Sequence, residues 1–339
     1  MKKKLVVFTH NDLDGVSCAL LGKIMSESVS EPFDEYEYYI CNYDNIDHKV
    51  NKYFNEKLDT DNYRYRIYIT DLSVNKETAD MLDEFRKNDP EIKVYFRLYD
   101  HHKTAKWLMR EYGWATVTTD LQVGVDAGFY PYPNKRLTCG TELFFLNEVM
   151  SRVDNCDVKA NLVDYVELVR SYDTWSWKRE NNLEAKKLNT FFSNLEGKDA
   201  FINNFYNKIV SDKENFKLFT DKENLFLDQK QREIEEFISD REKEMCIVTN
   251  EEYGFKFARI IIEMTMNVSE LGNYIADKYI DSVDFVAIIC NDINKISLRA
   301  SDENEFDVSK VAERFGGGGH KKAAGCSLTE ESSKFFLGI

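Results

Sequence analysis

The sequence predicts a two-lobed α/β protein: a parallel-sheet domain over residues 1–180, a helical linker over 181–245 and a smaller C-terminal α/β domain over 246–339. Three observations carry this prediction. Short apolar runs of strand character alternate with stretches of helical periodicity towards both ends of the chain, the pattern of βαβ units. The stretch between, Glu180 to Met245, is rich in asparagine, lysine and acidic residues, has Phe and Leu at helical intervals and contains no proline. Several N-terminal apolar runs end on histidine and aspartate, and the strand ends of a parallel sheet converge on one edge.

The first run, Leu5 to Phe8, leads into Thr9-His10-Asn11-Asp12-Leu13-Asp14-Gly15, with a helix expected from Val16 to Met25. Short polar runs of this kind also cap helices, so the motif alone leaves capping and ligand roles open. Tyr36 to Cys41 reads as a strand and Asp44 to Leu58 as a polar helix. The alternating run Tyr65 to Thr70 ends on Asp71; a helix from Lys76 to Lys87 and a turn at Asn88-Asp89-Pro90 follow. Lys93 to Tyr99 then runs straight into Asp100-His101-His102. One rim thus collects His10, Asp12, Asp14, Asp71, Asp100, His101 and His102, and His48 reads as a surface residue. Trp114 to Thr119 is strand-like, Val123 to Asn134 reads as an irregular loop, and Gly140 to Met150 is a helix candidate. Val158, Leu162, Val166 and Val169 recur at helical spacing and mark a helix from Val158 to Arg170. It leads to Asp173, which is either a cap or a further ligand.

The C-terminal segment repeats the alternation: strands Phe255 to Ile262, Phe285 to Cys290 and Lys295 to Ala300, and helices Ser269 to Tyr279 and Val308 to Phe315. It ends in Gly316-Gly317-Gly318-Gly319-His320-Lys321-Lys322. Glycines let backbone N–H groups approach an anion closely, and the adjacent bases complete a phosphate grip. A flexible linker is the plainer alternative. Arg299, at a strand end, adds a bidentate phosphate contact.

Composition narrows the function. With 43% hydrophobic and 14% aromatic residues in 339, the chain has enough for one large core or, more typically, two domains, and no disordered class fits. It shows neither a membrane-length apolar run nor a signal-peptide core, so a cytoplasmic, membrane-free protein is expected. Seven cysteines lie singly, with no Cys-x-x-Cys pair, and are expected to be buried thiols. A net charge of −15 argues against a long nucleic-acid groove, which needs clustered Lys and Arg. A short anionic ligand remains, its reacting phosphate neutralised by divalent cations.

Imidazole and carboxylate ligands without thiolate suit Mn²⁺, with Mg²⁺, Co²⁺ or Zn²⁺ as substitutes. Two ions about 3.5–4 Å apart, bridged by a shared carboxylate, polarise a phosphoryl group and activate water between them. Clustered aspartates repel one another, and a second cation makes so many of them tolerable.

The motifs His10 to Gly15, Asp71, Asp100-His101-His102, Asp173 and Gly316 to His320, in this order, resemble those of the DHH phosphoesterases with their DHH-associated C-terminal domain, over nearly the whole chain. Their local wording is most similar to the nano-RNase B type of oligoribonuclease. The resemblance implies one Mn²⁺ on His10, Asp12 and Asp71, and another on Asp14, Asp71, His101 and Asp173. It implies that His102 contacts the scissile phosphate or protonates the leaving oxygen, and that Asp100 orients a histidine. Arg299, Ser301, Gly317, Gly318 and His320 would bind the substrate's nucleotide or terminal phosphate. Many relatives carry His-x-x-x-Asp-x-Asp where this chain has His-x-Asp-x-Asp, the nano-RNase B form. The implied activity is Mn²⁺-dependent hydrolysis of very short RNA to mononucleotides. Linear or cyclic dinucleotides, cyclic mononucleotides and 3′-phosphoadenosine 5′-phosphate are alternative substrates, and a non-catalytic nucleotide sensor is the alternative class. A homodimer is compatible with this reading.

Overall fold

The structure, a computed structural model, describes residues 1–27, 31–89, 91–122, 135–211, 217–263 and 267–337. The loop expected over 123–134 and Pro90 of the expected turn lie outside the described residues. The chain divides into two compact units, Met1–Glu223 and Asn224–Ile339.

In the first unit β1 (Lys2–His10) is followed by α1 (Leu13–Glu27), β2 (Glu35–Cys41) by α2 (Ile46–Glu56), and β3 (Tyr63–Thr70) by α3 (Lys76–Lys87). Then come β4 (Val94–Asp100), α4 (Lys106–Glu111) and β5 (Ala115–Val117). These five strands pair in parallel in the order β2-β1-β3-β4-β5. The chain leaves β1 on one side and returns to its other side as β3, so the sheet's switch point lies between them. In an open parallel sheet the carboxyl ends flanking that point form the ligand crevice.

Leu5 to Thr9 are fully buried because both sheet faces are covered. Val6 and Phe8 join Ile67, Ile69, Phe96 and Leu98 in a core closed by Val50 and Tyr53 of α2 and Ala79 and Leu82 of α3. Val7 points the other way, onto Gly22 of α1. A strand buried on both faces reads as a continuous apolar run.

A short hairpin, β6 (Asp120–Gln122) and β7 (Lys135–Leu137), precedes α5 (Gly140–Phe144), which continues as one wider π-helical turn over Phe145–Val149. The helix expected over Gly140 to Met150 is thus two shorter pieces. Next come α6 (Cys156–Asp173), α7 (Ser176–Arg179), α8 (Leu183–Asn194), α9 (Lys198–Ser211) and α10 (Asp221–Lys243). In the stretch expected to link the lobes, α8 packs on α6 and α9 on α1, while α10 spans the division between units.

The second unit adds β8 (Cys246–Asn250), β9 (Phe255–Ile262), α11 (Val268–Lys278), β10 (Phe285–Cys290), β11 (Lys295–Arg299), α12 (Val308–Glu313), β12 (Gly318–His320), β13 (Ala323–Ser327) and α13 (Glu330–Leu337). Its sheet runs β12-β13-β11-β10-β9-β8, antiparallel except for β9 and β10. Leu271 and Ile275 of α11 cover Ile260, Val286 and Ile288 on one face. Val308 and Val311 of α12 and Phe336 of α13 cover Phe257, Leu298 and Ala324 on the other.

Of the seven cysteines, Cys156 and Cys246 are exposed, contrary to the expectation that all are buried. Each lies at the first position of its element, where a side chain is not yet covered. Among the described residues no helix is long and apolar enough to cross a membrane.

Candidate metal centre

Helix α1 begins three residues earlier than its apolar spacing indicated, because Asp12 caps it. One Asp12 oxygen accepts the Gly15 N–H at 3.0 Å and the other meets His10 Nδ1 at 2.7 Å. Capping and facing the rim are therefore both served by one carboxylate. Gly15 is required here, since a Cβ would stand 2.4 Å from the His10 carbonyl oxygen. The early start places Asp14 in the first helical turn, buried. Its two oxygens accept the N–H groups of Gly140 and Thr141 at 2.6 and 2.8 Å. A Cβ on Gly140 would lie 2.7 Å from that of Asp71. Neither Gly140 nor Thr141 was foreseen; the only local signal is a helix start placed after Thr138-Cys139.

Asp71, directly after β3, is buried with φ of 57°, the left-handed region that costs a non-glycine residue roughly 1–3 kcal/mol. Directly after β4, His101 Nε2 reaches Asp71 at 3.2 Å, Asp173 at 3.6 Å and Asp14 at 3.8 Å. Asp173 sits in the last turn of α6, whose C-cap is Thr174, so it is not the cap that sequence left open. Three sets of ligand atoms lie within 4.8 Å of one another: His10, Asp12 and Asp71; Asp14, His101 and Asp173; and Asp71 with Asp100, His101 and His102.

Three buried atoms in this cluster, Asp71 Oδ2, His101 Nε2 and Asp173 Oδ2, have no hydrogen-bond partner. Burial and the charges of Asp14, Asp12 and Asp173 hold the Asp71 carboxyl well above the usual carboxylate range. Burial, opposed by His101 but aided by Asp14 and Asp12, pushes Asp173 up to about 7. Buried carboxylates in mutual repulsion, with oxygens that lack hydrogen bonds, are what a divalent cation relieves, and the donor set of imidazole and carboxylate fits Mn²⁺ or Mg²⁺.

His102 is held differently. Its Nδ1 meets Asp100 Oδ1 at 2.7 Å, and its backbone N–H donates to the same oxygen at 3.1 Å. The other Asp100 oxygen accepts from Ser73 Oγ, a contact not foreseen. Burial alone lowers the His102 pKa, but the Asp100 hydrogen bond and charge push it up to about 9.

In the second unit, Arg299, Ala323 and His320 fall in one register row across β11, β13 and β12. The Arg299 guanidinium donates to Ser269 Oγ, Ser297 Oγ and the Leu298 carbonyl, and Ser301 Oγ is buried against Asp277 at 2.8 Å. The glycine run is a helix stop followed by a strand rather than a loop. Gly316 has φ of 70° after α12, and a Cβ on Gly317 would lie 2.1 Å from the Gly325 carbonyl oxygen. Gly318 alone of the pair 317–318 has open space around it.

The chain is 33% identical over 334 residues to oligoribonuclease NrnB of Bacillus subtilis (strain 168), a match covering 98% of this chain and 74% of that protein. It belongs to the NrnB-like DHH phosphoesterase family. The DHHA1 domain of this DHH protein spans residues 230–337. Among solved structures, exonuclease RecJ bound to manganese superposes with a TM-score of 0.53 at 14% identity, covering 99% of this chain and 88% of RecJ. The pGpG-specific phosphodiesterase PggH of Vibrio cholerae gives 0.50 at 12% identity, covering 99% of this chain and 97% of PggH. At these identities the likeness to RecJ and PggH is one of fold.

Proposed function

We propose that this DHH protein is a Mn²⁺-dependent cytoplasmic phosphodiesterase that hydrolyses very short RNA to mononucleotides. The observation that carries the reading is the rim cluster, in which buried Asp71, His101 and Asp173 atoms converge without hydrogen-bond partners. His10, Asp12 and Asp71 would hold one ion, and Asp14, Asp71, His101 and Asp173 the other. When bound, the ions supply positive charge at the phosphoryl group and ease deprotonation of water at neutral pH. Asp100 fixes His102 through Nδ1, so Nε2 is the end that meets the scissile phosphate or protonates the leaving oxygen. Arg299, Ser301, Gly317, Gly318 and His320 of the second unit hold the nucleotide. The relationship to NrnB, together with the net charge of −15, supports a short substrate.

The test is hydrolysis of 5′-labelled RNAs from a dinucleotide to about a 24-mer, with a cyclic dinucleotide in parallel, in Mn²⁺ and in EDTA. Rapid Mn²⁺-dependent cleavage confined to the shortest RNAs is expected. Preference for the 24-mer, or turnover of the cyclic substrate alone, overturns the short-RNA assignment.

A further inference from the structure

We propose that Tyr43 is a further catalytic residue, its phenol donating a hydrogen bond to the scissile phosphate beside His102. The proposal rests on the phosphodiesterase reading above. Tyr43 is one of the few large side chains the first unit leaves in solvent, 62% exposed, yet it is not remote from the chemistry. Its ring centroid lies 5.3 Å from that of His10 and 6.2 Å from that of His102, so it bridges the first motif and the third. Its hydroxyl stands 3.3 Å from His102 Nε2.

His102 Nδ1 is committed to Asp100, which makes Nε2 the functional end of the ring. Whichever group donates in the substrate-free site, a phosphate oxygen that approaches Nε2 from the side of the Tyr43 ring comes within hydrogen-bond range of its hydroxyl as well. The backbone holds the residue there. Asn45 Oδ1 accepts the Asn42 N–H at 3.0 Å, and the Asn42 carbonyl accepts from Asn45 and Ile46 at 3.1 and 3.0 Å. Tyr43 therefore rides a closed turn at the start of α2, placed before substrate arrives. A preplaced neutral donor aimed at developing phosphoryl charge is useful because it needs no reorganisation during the reaction. The ring packing on His10 offers a rival role, simple support of a ligand, and the phenylalanine variant separates the two.

The experiment compares wild type, Tyr43→Phe and Tyr43→Ala on an RNA dinucleotide and on bis(4-nitrophenyl) phosphate, with Mn²⁺ affinity measured calorimetrically. Tyr43→Phe is expected to keep Mn²⁺ affinity and KM within about twofold while kcat falls roughly ten- to a hundredfold. Tyr43→Ala should match that kcat and, with the ring gone from His10, bind Mn²⁺ more weakly. Wild-type kcat in Tyr43→Phe on both esters overturns the proposal, as does a rate loss that only tracks lost Mn²⁺. If wild type cleaves the nitrophenyl ester but no RNA, the short-RNA reading fails and the phenylalanine variant on that ester still decides the role of Tyr43. A Mn²⁺-loaded wild type inert on both esters overturns both.

Discussion

The sequence marks two regions in the same way, as polar motifs at the ends of strands, but the fold treats them oppositely. At the rim of the first unit, Asp71 Oδ2, His101 Nε2 and Asp173 Oδ2 are buried without hydrogen-bond partners. In the second unit Arg299 is fixed by Ser269, Ser297 and a backbone carbonyl, Ser301 by Asp277, and Lys322 by Asn304. A buried polar group left without a partner costs about 1–3 kcal/mol, so several in one place signal a missing binding partner. The first region has the donor set that a divalent cation would complete. The second holds these polar side chains in contacts of its own, and what it would offer a nucleotide is a surface already fixed.

The largest expected effect falls on Asp71. Asp71→Asn should cut kcat by about a thousandfold or more, because the shared carboxylate is lost from both ligand sets. The same change should raise the melting temperature of the metal-free protein, since asparagine is neutral without taking up a proton among the neighbouring carboxylates and tolerates positive φ. A variant that loses stability, or keeps its rate, would break the contrast between the regions. His102→Gln should follow, with kcat down about a hundred- to ten-thousandfold and Mn²⁺ affinity, read by calorimetry, unchanged.

Metal should act on stability in a pH-dependent way. Asp71 and Asp173 have raised pKa values in the fold, Asp173 at about 7, so between their ordinary range and pH 7 the native state binds more protons than the unfolded chain. Metal-free stability therefore falls as pH rises through that window. His102 adds to the trend: its contribution is full below its unfolded pKa and is lost as pH rises through about 9. Mn²⁺ at a hundredfold excess over Kd should restore about 2.7 kcal/mol near pH 7.5. The gain should shrink at pH 5, where protons compete for the same oxygens; a thermal melt series with and without EDTA measures both. The smallest effects belong to the second unit. Arg299→Gln should raise KM several-fold at nearly constant kcat, while Gly319→Ala, at φ of 143°, should lower the melting temperature without touching Mn²⁺ binding.

Much of the fold was legible because its signals are local. Helix Lys76–Lys87 falls where expected, its start fixed by the Asn75 side chain capping Thr78, and strands Phe255–Ile262 and Phe285–Cys290 match their apolar runs. The gathering of His10, Asp71 and His101 followed from strand ends alone. Asp14 was placed on the rim, but its burial and its amide partners were not readable, because those partners come from residues 140 and 141. Tyr43 was not readable either, lying in a polar turn with no motif around it. The glycine run was read for its contacts to an anion and not for its packing. Its demand for small residues comes from the next strand, β13, whose backbone a Cβ on Gly317 or Gly319 would strike.

The amides that hold Asp14 belong to a segment 126 residues further along the chain, and Asp173 comes later still. During synthesis every histidine of the metal centre has been made by residue 102, yet the support of Asp14 and the last carboxylate are still to come. The centre is thus closed only once about half of the chain has been made. A chain half made still lacks the last of these carboxylates.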